Sequence, residues 1–321
     1  MAESSQLIDS GRVELAARDL TVCYGNEVAL RGAHFNLKGK VIAIIGHNGS
    51  GKSTLIKTIL GLLSPRQGSL QSTWLGDDGR QYPLIAERHM AFSPENGAVF
   101  ADMTVENYVK LWSRIKQGRG DYYRREGSII LEQLDVQPLL KKFGRELSKG
   151  QRRRVQSAVG FLSNPKLFLF DEPFDGLDIS QSSHLTNLML AASQTMSIIV
   201  SSHRMEVVER LADLIIVLDE GRVVTYGSVE DVCSILCGHS IIITGDPADH
   251  SSVNELVPAL RESFISCLVS SVGGQVSITG AEINLELLHE FLIRQQCEGM
   301  RLKLVRPSLV DAMHYHLRKL H

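Results

Sequence analysis

The stretch Val41-Ile42-Ala43-Ile44-Ile45-Gly46-His47-Asn48-Gly49-Ser50-Gly51-Lys52-Ser53-Thr54 decides the fold. Its first five residues are all apolar, and a short apolar run without polar alternation reads as a strand covered on both faces. The next eight match G-x-x-x-x-G-K-[ST] in full. The glycines let backbone N–H groups converge on phosphate oxygens at the positive end of the helix that begins here. Lys52 is placed to reach the β- and γ-phosphates of a nucleotide and Ser53 to set its hydroxyl on Mg²⁺, while Thr54 extends the hydroxyl-bearing first turn. From Ser53 to Leu63 the apolar residues fall at helical spacing, and Ser64-Pro65 marks the stop.

Working outward, Val13 to Tyr24 alternates apolar and polar residues like a half-buried strand, and Ala29 to Leu37 leads to a turn at Lys38-Gly39-Lys40. Downstream, Thr104 to Gln117 and Ser128 to Leu140 are amphipathic helical stretches joined by a polar link. Strand-like runs at Leu167 to Phe170, Ser197 to Ser201 and Leu214 to Leu218 then alternate with helical ones at Gln151 to Leu162, Gln181 to Gln194 and Met205 to Ala212. This alternation predicts an α/β fold with a parallel sheet and helices on its faces. It stops near Gly238. Ile-rich strands follow, with helices at Asn254 to Phe264 and Leu285 to Gln296 and a hairpin at Gly273-Gly274, which predicts a small α+β appendage.

The run Leu167 to Phe170 ends in Asp171 and Glu172. A carboxylate at the C-terminal end of a parallel strand beside a phosphate loop is where Mg²⁺ is held, so Asp171 is the expected ion ligand. Glu172 is placed to orient or deprotonate an attacking water.

With these motifs the chain resembles the ATP-binding cassette (ABC) ATPases over about Val13 to Val232. The family's signature segment matches Ser148, Lys149, Gly150 and Gln151 after Leu147, its aspartate loop matches Phe174 to Asp178, and its switch histidine matches His203. Tyr24 sits where the family stacks adenine. The resemblance implies a P-loop NTPase with a mostly parallel core sheet, an antiparallel β subdomain and a helical subdomain at about 95–163. The implied boundaries are a tail at 1–12, the ATPase domain at 13–238 and an accessory α+β domain at 239–321. It also implies a homodimer of cassettes with ATP at the interface, in which Ser148 and Gly150 reach the partner's γ-phosphate. A separately encoded polytopic permease would be the driven partner. The alternative is a soluble ABC ATPase acting on ribosomes or nucleic acid.

Two positions depart from the family pattern. Glu95 stands where a glutamine usually binds Mg²⁺, and Lys149 replaces a glycine. Both occur in a subgroup of exporter cassettes for drugs, sodium, polysaccharides and copper-enzyme maturation, and Pro307-Ser308-Leu309-Val310-Asp311 is similar to a C-terminal stretch of those chains. An exporter follows as the expectation.

The bulk composition agrees. With 34 Lys and Arg against 36 Asp and Glu, the chain has no basic excess, so no nucleic-acid partner is expected. No apolar run approaches the roughly 20 residues that span a bilayer. The polar Met1 to Arg12 lacks the pattern of a signal peptide, so the expected location is cytoplasmic, peripheral on the inner face of the membrane through the permease. Five scattered cysteines make no disulfide framework. Cys233, Cys237 and His239 read as small apolar residues on a helix that ends at Gly238, and Arg152-Arg153-Arg154 reads as a solvated helix face.

Overall fold

The computed structural model describes residues 13–76, 78–97, 99–245, 250–295, 297 and 299–320. The tail at 1–12, Ala98 and Gln296 at the end of an expected helix therefore lie outside the described residues. The chain forms two compact units, Met1–Tyr226 and Gly227–His321.

In the first unit, β1 (Val13–Tyr24) and β2 (Glu27–Gly39) precede β3 (Val41–Ile45), and the phosphate loop leads into α1 (Lys52–Ile59). Next come β4 (Gln67–Leu75), β5 (Gln81–Pro83), α2 (Ala86–His89), β6 (Met90–Ser93), α3 (Val105–Gln117), α4 (Ser128–Gln133) and α5 (Lys149–Leu162). The unit continues through β7 (Leu167–Asp171), α6 (Ile179–Ala192), β8 (Ser197–Ser202), α7 (Met205–Leu211), β9 (Leu214–Asp219) and β10 (Arg222–Ser228). Two sheets result. One has the order β2-β1-β4-β5 and is antiparallel; the other has the order β10-β9-β3-β8-β7-β6. From β9 to β6 the second sheet is parallel. This is the expected α/β class with a mostly parallel core sheet and an antiparallel β subdomain.

Every residue of β3 and β7 is buried, as continuous apolar runs require of a two-faced central strand. One face of the parallel sheet, including Ile42, Ile44, Leu167, Leu169 and Ile199, shares a core with Leu55, Ile56 and Ile59 of α1 and with the inward face of β1 and β2. The other face meets α5. Phe161 stacks edge-on against Phe168 with ring centroids 4.9 Å apart. Gly160 permits that approach, since a Cβ there would lie 2.0 Å from Phe168 Cζ.

The second unit contains α8 (Val229–Cys237), β11 (His239–Thr244), α9 (His250–Glu255), α10 (Val257–Ser263), β12 (Leu268–Val272), β13 (Gln275–Gly280), α11 (Leu285–Arg294), β14 (Arg301–Val305) and α12 (Leu309–Leu320). Its antiparallel sheet has the order β12-β13-β11-β14 and a core of its own around Ile241, Ile278, Leu260 and Leu288. The division falls at 226–227, where 238–239 was expected, because α8 packs with α12 rather than closing the preceding sheet. Pro307 to Asp311 opens α12: Ser308 Oγ accepts from the Asp311 N–H at 3.1 Å and donates to Asp311 Oδ2 at 2.7 Å, a helix cap. Cys233 and Cys237 are buried on α8, and burial pushes the Cys237 thiol up to about 12, which suits a packed apolar residue and not a thiolate ligand.

Helix ends differ from expectation where backbone chemistry intervenes. α1 stops at Ile59 and turns through Gly61 at φ 72. The stretch at 128–140 breaks after Gln133, with Asp135 at φ 49 and Pro138 opening a 3₁₀ turn. The helix at 254–264 is two helices, since Pro258 sits in the first turn of α10 and has no N–H to extend α9.

Gly160→Ala tests the core contact. Helix propensity alone favours alanine by about 1 kcal/mol. Overpacking against the buried Phe168 costs about 1–3 kcal/mol, so the variant is expected to melt lower, by about 2–4 °C per kcal/mol lost.

Candidate functional site

The chain leaves β3 through Gly46 at φ 155, where a Cβ would sit 2.2 Å from the Leu218 carbonyl oxygen; only glycine fits. Gly51, at φ 104, is the N-cap of α1, and its carbonyl accepts the Leu55 N–H at 2.9 Å, so the loop runs straight into the helix. The loop is pinned from outside: Gly221 N–H donates to the Ser50 carbonyl at 3.1 Å, and Arg31 N–H to the Gly221 carbonyl at 2.8 Å. His47 Nε2 lies 2.8 Å from Asp219 Oδ1 at the end of β9. Lys52 turns back into the loop. Its Nζ donates to the carbonyls of Gly46 at 2.9 Å and His47 at 3.0 Å and stands 3.3 Å from Glu172 Oε1.

Parallel pairing brings the polar ends of the neighbouring strands alongside. Asp171 is in register with Ser201, which is in turn beside Ile44. Ser201 Oγ donates to Asp171 Oδ1 at 2.6 Å and accepts the Glu172 N–H at 2.9 Å. Ser53 Oγ donates to the same Asp171 oxygen at 3.2 Å. Glu172 has φ 47, a left-handed conformation that costs a non-glycine residue on the order of 1–3 kcal/mol. Its Oε2 accepts the His203 N–H at 3.3 Å and lies 3.0 Å from His203 Nδ1. Both carboxylates are buried, and Asp175 approaches the far side of the His203 ring at 3.8 Å.

These groups open onto one cavity of about 600 Å³. Of the residues anticipated from sequence, Tyr24, Asn48, Gly49, Gly51, Lys52, Ser53, Thr54, Glu95, Glu172 and His203 line it. Asp171 lies behind Ser53, and Gly46, His47 and Ser50 shape the loop from beneath. Glu27, Glu220 and Gly221 also line the cavity and were not anticipated, and Asp175, expected only as part of the aspartate loop, joins them; Glu27 opens β2, and the others lie on turns whose place is set by the sheet. Ser201 was expected only as the end of a strand-like run, although two serines ending an apolar strand were the available signal. The Ser53 and Asp171 oxygens, with Glu95 on the wall, form a set of hard donors that fits Mg²⁺.

Ser148, Lys149, Gly150, Gln151 and Asp178 stand outside this cavity. Ser148 is the N-cap of α5, in a capping box whose Oγ accepts the Gln151 N–H at 3.2 Å while its own N–H donates to Gln151 Oε1 at 3.1 Å. Gly150 packs on the aspartate loop, where a Cβ would meet the Gly176 carbonyl at 2.6 Å. Asp178 caps α6 by accepting the Gln181 N–H at 2.8 Å.

The arginine run is not a solvated face. Arg153 is only 2% exposed and Arg154 7%. Arg154 pairs with Asp135, and Arg153 Nη2 donates to the Glu95 carbonyl at 2.7 Å. Burial pulls the Arg153 guanidinium below the usual arginine range, against the opposing field of Asp175, Glu95, Glu172 and Asp171. Consecutive residues on a helix point about 100° apart, so a surrounded helix such as α5 must bury some of a charged triplet.

Among the described residues no helix is long and apolar enough to cross a membrane. The family model for the ABC transporter matches residues 30–175. The linearmycin resistance ATP-binding protein LnrL of Bacillus subtilis is 28% identical, over 95% of this chain and 92% of its own. The sulfate/thiosulfate import ATP-binding protein CysA of Mesostigma viride is 31% identical, over 65% of this chain and 60% of its own. A solved ATP-binding subunit of an ABC transporter superposes with a TM-score of 0.60 at 30% identity, covering 68% of this chain and 91% of that one. With the phosphate loop, strand-end carboxylates and histidine meeting in one cavity, these matches establish that the chain belongs to the ABC transporter ATP-binding family, whose members hydrolyse ATP.

Proposed function

We propose that this cassette binds ATP with Mg²⁺ in the 600 Å³ cavity, pairs with a second copy around it, and drives a separately encoded membrane permease, as an exporter. The observation that carries the reading is the meeting of Lys52 and Ser53, in the first turn of α1, with Asp171, Glu172 and His203 at the ends of the adjacent parallel strands β7 and β8.

In this reading adenine stacks on the half-exposed Tyr24 ring, and the phosphates lie over the N-terminus of α1. Lys52 exchanges its loop carbonyls for phosphate oxygens. Ser53, Asp171 and Glu95 hold Mg²⁺, which when bound neutralises charge on the β- and γ-phosphate oxygens. Glu172 orients the attacking water and takes its proton, and the backbone N–H and ring of His203 fix the Glu172 carboxylate while the ring faces the γ-phosphate. Ser148, Lys149, Gly150 and Gln151 cover the partner copy's nucleotide from the N-terminus of the 14-residue α5, with Asp178 beside them, so ATP joins the two copies and hydrolysis releases them.

A groove of about 400 Å³ between β6, α3 and α5, lined by Phe92, Pro94, Tyr108, Trp112 and Val159, suits a cytosolic helix of the permease. Val99 is buried and Phe100 exposed next to it, while Met103 is half-buried. Docking there would hold the cassette on the inner face of the membrane. The export direction draws on the Pro307 to Asp311 stretch and on the likeness to LnrL, which spans nearly the whole chain. Import is the second reading, favoured by the likeness to CysA over the ATPase portion.

Glu172→Gln is expected to keep ATP affinity and lose turnover by about 10²–10⁴-fold, and to elute as a dimer with ATP but not with ADP. Tagged and recovered from solubilised membranes of the native host, it should bring a stoichiometric polytopic protein. Recovery from the cytosol alone, with ribosomal proteins or nucleic acid, overturns the transporter reading. Glu95→Gln removes one negative charge beside the γ-phosphate and is expected to raise basal ATP turnover; equal rates in both proteins reject a restraining role for Glu95.

A further inference from the structure

A cavity of about 210 Å³ lies between the end of α4, the middle of α5 and the first turns of α6, and it shares no lining residue with the nucleotide cavity. Its α5 wall is made by Arg153, Arg154 and Ser157. Ser157 stands one turn on from both arginines, so the three side chains share a helix face. They are 2%, 7% and 1% exposed. Each also carries a buried polar atom with no hydrogen-bond partner among the described residues: Arg153 Nη1, Arg154 Nε and Ser157 Oγ. Buried polar atoms are partnered in the great majority of cases, so three orphans on one cavity wall call for an occupant. The nearby carboxylates are already engaged. Asp135 pairs with Arg154, and Asp178 accepts the Gln181 N–H as the cap of α6. Arg153 has no carboxylate within ion-pairing distance among the described residues; its Nη2 donates to the Glu95 carbonyl alone. The positive end of the 14-residue α6 adjoins the same cavity.

We propose that this cavity is a binding site for a small oxyanion, a dicarboxylate or inorganic phosphate, held by Arg153, Arg154 and Ser157. The site is independent of the nucleotide and goes beyond the transporter reading. A guanidinium donates hydrogen bonds and accepts none, so whatever satisfies Arg153 Nη1 and Arg154 Nε must be an acceptor. Water accepts, but it leaves the charge of Arg153 uncompensated, and an unpaired buried ion is costlier than a paired one. Carboxylate and phosphate oxygens match the guanidinium fork and bring the missing charge. Size selects among anions: 210 Å³ is below the roughly 300–1,000 Å³ of pockets that enclose drug-sized ligands, so a second nucleotide is too large. Ser180, Gln181 and His184 on the facing α6 wall offer further donors to the same ligand. A bound anion thereby ties α5 to α6, the two helices whose caps, Ser148 and Asp178, face the other copy in the proposed dimer.

The test is isothermal titration of the purified full-length chain with malonate and, separately, with inorganic phosphate. Mg²⁺ and a non-hydrolysable ATP analogue are present at saturation, so that the phosphate loop is filled. Wild type is expected to take up one equivalent of at least one of the two anions with a Kd below about 1 mM, and the one that binds more tightly identifies the ligand class. Gln133 and His184 are exposed at the rim, so Gln133→Glu/His184→Glu sets like charge beside the ligand without touching the core. That pair is expected to weaken binding by about ten-fold or more. Ser157→Ala removes one buried donor and is expected to weaken it by a smaller factor. Unchanged affinity for the ATP analogue shows that the variants fold. Neither anion bound by wild type at 10-fold this Kd overturns the proposal, and so does binding that is equal in wild type, the Glu pair and Ser157→Ala. Failure of the analogue to bind wild type sinks the nucleotide reading instead, and the anion site is then still read from the difference between wild type and the variants.

Discussion

The contact on which the site depends is the one between Lys52 and Glu172. A lysine ammonium that is only 6% exposed is held by two loop carbonyls and stands 3.3 Å from a buried carboxylate on the neighbouring strand. Neither charge could be buried alone, since an unpaired ion in the interior costs several kcal/mol even after relaxation, roughly speaking. Each therefore makes the other's position possible. The same pairing ties the end of β3 to the end of β7, which are not adjacent in the sheet.

The strand between them supplies the remaining order. β8 ends in two serines, and the first divides its hydroxyl between the Asp171 side chain and the Glu172 backbone. That bond helps hold Glu172 in its left-handed conformation, which aims its carboxylate at Lys52 and His203 and not along the strand. Parallel strands make such a cluster natural, because all their C-terminal ends open on the same side of the sheet.

α5 carries several tasks along its length. Its first turn is a capping box that presents Ser148 and Lys149 at the surface, with Gly150 buried against the aspartate loop. Its middle sets a buried guanidinium under the acidic nucleotide cavity, and its last turn packs through Gly160 and Phe161 onto β7. A displacement at one end is thus transmitted to a rigid body fixed in the core.

Much of this was legible in the amino-acid sequence by itself. Residues 41–54 determine a buried strand, a phosphate loop and a helix start, because an apolar run, glycines with positive φ and a lysine at fixed spacing allow few other conformations. Asp171, Glu172 and His203 were readable for the same local reason: each follows an apolar strand. Tertiary structure alone decided the rest. Whether Arg153 faces water or the interior depends on what covers α5, which no local pattern states, and a triplet of arginines looks solvated until the helix is surrounded. Asp175, Glu220 and the pairing of His47 with Asp219 likewise come from turns that the sheet brings together across long sequence separations. The assignment of α8 to the second unit followed from its packing with α12, some eighty residues later, a contact between two amphipathic faces that periodicity reveals singly but cannot match.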